Sequence, residues 1–64
     1  MDESLRLLLV LCLAVNDREE EAVRQGLREV ATLLSDREGS RVARVLYGSL
    51  DAAGKGWLAR IAGV

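Results

Sequence analysis

Leu7-Leu8-Leu9-Val10-Leu11-Cys12-Leu13-Ala14-Val15 is apolar at every position, and the way this run is covered decides what the rest of the chain must be. Leucine and alanine favour a helix, but a helix built this way has no polar face to give to water. Three kinds of cover compete: a translocation machine, a lipid bilayer and the interior of a protein. The preceding residues, Met1-Asp2-Glu3, are acidic where a signal peptide carries basic charge, and Leu11 stands before Cys12 where a lipoprotein signal has a small residue. From Leu5 to Val15 the run is 11 residues long, well short of the roughly 20 needed to cross a bilayer. The expectation is a helix over about residues 3–15, buried in protein on several sides, with no membrane partner.

Immediately downstream, Asn16-Asp17 carries side chains able to cap a helix, and Arg18-Glu19-Glu20-Glu21 places acidic groups at the positive end of the helix dipole. Successive helical residues point in different directions, so the three glutamates read as a solvated helix start and not as a metal site. Val23, Leu27, Val30 and Leu34 follow at steps of four, three and four, the spacing of one buried stripe. This predicts a second helix over about 17–35. Gly26 beside the stripe costs about 1 kcal/mol in helix propensity against alanine, which a close approach by a neighbouring helix would offset. Glu20 and Arg24 have the spacing of an outer-face pair.

Ser35-Asp36-Arg37-Glu38-Gly39-Ser40 is the clear polar interruption. Ser35 with Glu38 has capping-box spacing, and Ser40 offers a later start. Beyond it Val42, Val45, Leu46, Leu50, Ala53, Trp57, Ile61 and Val64 continue at helical intervals. They predict a third helix over about 40–62, single or gently kinked; the alternative is a break near 48–56 with Asp51 as the cap. In the single helix, Gly48, Ala52, Gly56, Ala59 and Gly63 would form a second ridge of small residues against which another helix could pack closely.

Apolar residues make up 50% of the chain, yet Tyr47 and Trp57 are its only aromatics, proline is absent, and no stretch alternates as a strand does. The fold class is therefore all-α: one domain over residues 1–64, built as a small three-helix bundle or as a helical hairpin plus a long C-terminal helix. At this size only roughly 60% of the unfolded chain's surface is buried. A single cysteine and no histidine leave neither a disulfide within the chain nor a structural zinc as a brace. Two neighbouring helices cannot cover an all-apolar helix, and each leucine-sized side chain left in water forgoes about 1.5–3 kcal/mol in a domain holding about 5 in total. Completion by oligomerisation is the expectation, with Leu7, Leu8, Leu11, Gly48, Ala52, Gly56 and Trp57 at the contact. The function expected is a self-association or adaptor module that binds copies of itself or a partner protein.

Charge is unevenly spread. Residues 1–36 carry four basic and eight acidic groups, residues 37–64 five basic and two acidic, an asymmetry that fits halves attracting each other within or between subunits, or a basic surface for nucleic acid. Val30-Ala31, followed by Arg41-Val42-Ala43-Arg44-Val45-Leu46-Tyr47-Gly48-Ser49, resembles the helix-turn-helix of LacI-family repressors. That pattern runs Val-Ala, a Gly-Val-Ser turn, then Thr-Val-Ser-Arg-Val-Leu-Asn-Gly. Here Ser35-Asp36-Arg37-Glu38 replaces the tight glycine turn. The resemblance implies a dimeric DNA-binding regulator as the alternative function, with Ser40, Arg41 and Arg44 facing the groove and Arg37 a phosphate.

Without histidine, a phosphate-binding glycine loop or a recognisable nucleophile motif, the usual parts of acid-base, nucleophilic and metal catalysis are missing. No enzymatic activity, cofactor or metal is expected. Cys12 sits in the most apolar stretch, where burial makes a thiol inert, and a lone cysteine fits the reducing cytoplasm.

Overall fold

A computed structural model describes residues 2–63; Met1 and Val64, the last member of the predicted C-terminal stripe, lie outside the described residues. The described chain is all-α, with α1 over Glu3–Asn16, α2 over Glu20–Leu33, α3 over Asp36–Ser49 and α4 over Ala52–Ala62. Three helices were expected, so the main correction is a fourth.

The fourth helix arises at Leu50-Asp51. Leu50 takes an extended conformation (φ −96°, ψ 149°), and the Asp51 carboxylate accepts from the Gly54 amide at 2.7 Å, capping a new helix. The apolar stripe crosses the break because Leu50, though outside both helices, still packs against the core. The single 40–62 helix is thus replaced by the broken alternative, and the break lies between the glycines and not at them. An equivalent junction precedes α3. Leu34 is extended (φ −107°, ψ 150°), and the Ser35 hydroxyl oxygen accepts from the Glu38 amide at 3.2 Å. The third helix therefore starts at Asp36 and not at 40, and Ser40 lies inside it.

The first junction differs. α1 ends at Asn16, and Arg18 turns the chain in the left-handed region (φ 55°). Its guanidinium donates to the Val15 carbonyl at 2.6 Å and lies 5.5 Å from the Trp57 ring centroid. These contacts offset the cost of a left-handed non-glycine residue. The second helix consequently begins at Glu20, later than the predicted 17, with Glu19 as a cap that makes no side-chain hydrogen bond.

α1 packs most heavily against α2 and α3, while α4 lies lightly against both α1 and α2, and α2 and α3, consecutive in sequence, also touch only lightly. Their shared contact includes Val30 against Gly39, where an added Cβ would stand 3.3 Å from the valine. The packing accounts for the apolar inner face of α1. Leu7, Leu11, Ala14 and Val15 form its buried inner face, and Leu11, Ala14 and Val15 meet Val23, Val42, Leu46 and Leu58 from α2, α3 and α4 in one core cluster. The close approach expected at Gly26 is present. A Cβ there would come within 2.7 Å of the Leu11 side chain, so glycine is the residue that lets α1 and α2 meet.

Candidate interaction surface

The same helix has an outer face. Leu5, Leu9 and Leu13 recur every four residues and so lie along one line of the helix. They are 46%, 47% and 66% exposed, against 0% for Leu7 and 1% for Leu11. Val10 is exposed beside them. Leu7 and Leu11, expected at an intersubunit contact, are therefore enclosed by their own chain and cannot reach a partner. Among the expected contact residues of α1 only Leu8 retains partial exposure. The physical reason is the packing of α2 and α3 against α1, with Leu58 of α4 joining Leu11 in the core.

The flanks of this outer face differ in charge. Toward α2, Arg6 pairs with Glu3 and also reaches Glu29 at 3.2 Å. One cation thus serves two carboxylates, with Asp2 close by at the helix start, where it accepts from the Ser4 amide at 3.3 Å. The guanidinium pKa is raised by these partners, first by its hydrogen bond to Glu3. Toward α3 lies a groove of about 280 Å³ lined by Asp2, Ser4, Leu5, Leu8, Arg41 and Val45. Val45 is itself exposed, so the apolar surface continues from α1 onto α3.

Arg37, Arg41 and Arg44 recur at helical spacing along α3, and all three are exposed, as is Ser40. Among the described residues none of the three arginines forms an ion pair, and each ion pair present lies within residues 3–29. The acidic and basic halves thus make no ion pair with each other among the described residues. The Glu20–Arg24 pair expected on α2 forms at 2.8 Å. Asp36, Arg37 and Glu38, read from the repressor resemblance as an interhelical turn, are instead the first turn of α3, leaving Leu34-Ser35 as the connection.

The small-residue ridge does not survive the break in the helix. Gly48 lies near the end of α3 and Ala52 at the start of α4; both are exposed, as is Gly56, and an added Cβ at Gly48 or Gly56 would meet nothing within 4 Å. Trp57 is half-buried against the core and carries Arg18 on its ring. Cys12 is half-buried at the border between the two faces of α1, and burial raises its thiol pKa. An apolar cavity of about 60 Å³ lies where Leu27, Val30, Val42 and Leu46 converge.

Comparison with known proteins finds no family model, curated protein or solved structure that matches the chain. Among the described residues no helix is long and apolar enough to cross a membrane.

Proposed function

We propose that this chain is a self-association module whose contact is the outer line of α1, Leu5, Leu9 and Leu13 with Val10, and that the first occupant of that face is a second copy of the chain. The observation that carries the reading is the exposure of these four side chains on a helix whose opposite face is sealed. Together they present on the order of 300–400 Å² of apolar surface, the size of the largest patch on a typical monomer, which is often functional. A standard interface takes roughly 800 Å² from each partner, so the contact extends to Leu8 and Val45 and to the charged flanks. Leucines four apart form a ridge that packs into the groove beside an identical ridge, so the face is complementary to itself. The reading keeps the oligomeric completion expected from the sequence and moves its residues by a fraction of a helical turn.

The test is sedimentation across a concentration series. Leu9→Glu and Leu13→Glu are expected to hold the chain monomeric at concentrations where the wild type is dimeric, with an unchanged far-UV circular dichroism spectrum. A wild-type chain that stays a compact monomer at high micromolar concentration removes the proposal.

The alternative, a DNA-binding regulator, is favoured by one feature, the solvent face of α3 with Arg37, Ser40, Arg41 and Arg44 and no ion pair to its arginines among the described residues. It predicts salt-dependent binding to duplex DNA that Arg41→Ala and Arg44→Ala weaken. Fluorescence anisotropy at low salt with a mixed-sequence duplex reads this out, and a flat titration removes it.

A further inference from the structure

We propose that the two copies associate with their α1 helices side by side and parallel, the twofold axis running along α1, so that Arg41 of each subunit meets Glu3 and Glu29 of the other. This rests on the self-association reading and adds its orientation. The two flanks of the exposed face differ in how their charges are paired. On the α2 side, Glu3 and Glu29 share the single Arg6. On the α3 side, Arg41 lines the groove beside Leu5 and Leu8, with Asp2 at its edge, and has no ion-pair partner among the described residues.

Height along α1 then decides the orientation. The Arg6–Glu29 bond fixes Glu29 at the level of the first turns of α1. The groove that holds Asp2, Leu5 and Leu8 together with Arg41 fixes Arg41 at the same level on the opposite flank. A twofold axis along α1 exchanges the flanks and preserves height, which brings Arg41 of each copy opposite Glu29 and Glu3 of the other. A twofold axis across α1 preserves the flank and inverts the height. Arg41 would then face the far end of the partner's own α3 side, and Glu3 and Glu29 would face the partner's α2 side. Opposite charges at a rim steer encounter and fix register, while like charges placed together are penalised. The leucine line supplies the contact in either orientation; the flanks choose between them.

Two measurements on the full-length chain test this. In a Cys12→Ala background, Leu5→Cys and Leu13→Cys are each expected to form a disulfide-linked dimer with themselves under mild oxidation, because parallel helices place each position opposite its own copy. At low salt, Arg41→Glu and Glu29→Arg are each expected to weaken dimerisation about tenfold, and the double variant to recover to within about threefold of the wild type. Loss of either charge for merely structural reasons would not be repaired by the second reversal. Suppose the wild type dimerises but the two cysteine variants cross-link only when mixed, or the double variant is no tighter than the weaker single one. Orientation along α1 is then wrong and self-association stands. Should the wild type be monomeric and indifferent to Leu9→Glu, both fall together.

Discussion

Two lines of leucine run along α1, a quarter-turn or more apart, and the protein treats them oppositely. Leu7 and Leu11 are sealed inside the fold, while Leu5, Leu9 and Leu13 face outward. The residue type is the same, the helix is the same, and the backbone environment is nearly so. What separates them is the position of three other helices. Burial of a side chain is thus a property of the packed fold and not of the residue, and a substitution on the inner line tests folding where the same substitution on the outer line tests the proposed association.

The largest expected effect follows directly. Leu11→Ala should lower the unfolding free energy by about 3 kcal/mol, the transfer loss plus the cavity left beside Gly26. Leu9→Ala should leave the unfolding free energy of the monomer within about 0.5 kcal/mol of wild type. Urea denaturation of both, below the association concentration, compares them, and equal losses would break the distinction between the faces. Gly26→Ala probes the seat of the inner line. Alanine gains about 1 kcal/mol in helix propensity, but its methyl would press on the Leu11 side chain at 2.7 Å. Overpacking of this kind costs about 1–3 kcal/mol, so a net loss of about 1 kcal/mol is expected in the same measurement.

Gly48→Ala and Gly56→Ala examine an exposed surface of the other kind, one with nothing to hide. Both positions have open space around an added Cβ, so each change should raise the thermal midpoint, by up to about 1 kcal/mol in stability. If either instead weakens self-association, the small-residue ridge takes part in a contact after all. Cys12, on the border between the faces of α1, gives the smallest signal. Burial raises its thiol pKa, so iodoacetamide alkylation of the native chain should accelerate only at higher pH than in the urea-unfolded chain. The unfolded thiol ionises first as pH rises, so the native state loses a little stability above the ordinary thiol range and none below it.

Much of the fold was legible because amphipathic segments state their own phase. Val23, Leu27 and Val30 define which side of α2 turns inward, and Val42 with Leu46 does the same for α3, so the helical class and the inward side of these helices follow from spacing. In α1 every residue from Leu7 to Val15 is apolar, and a pattern with no contrast has no phase. Its inward side is set by where the remaining helices lie, which is why Leu7 and Leu11 could be taken for contact residues when Leu5, Leu9 and Leu13 are the exposed ones. The division of the C-terminal segment was hidden for a related reason. Leu50 keeps its place in the apolar rhythm while adopting an extended backbone, so periodicity runs unbroken through a point where the helix does not. Asp51 three residues before Gly54 carried the signal, as a side-chain cap competing with helix continuation. The exposed face of α1 left no mark in composition, since exposure is decided between elements.

The connections between helices, Asp17–Glu19, Leu34-Ser35 and Leu50-Asp51, are two or three residues long, and this bears on how quickly the chain finds its structure. Such short links keep the ends of successive helices close before any packing occurs, so little loop entropy opposes the first collisions. Chains dominated by near-neighbour contacts fold in microseconds to milliseconds. Assembly should then be faster than the encounter of two copies at micromolar concentration, and the outer leucines of α1 would meet a partner as a finished surface.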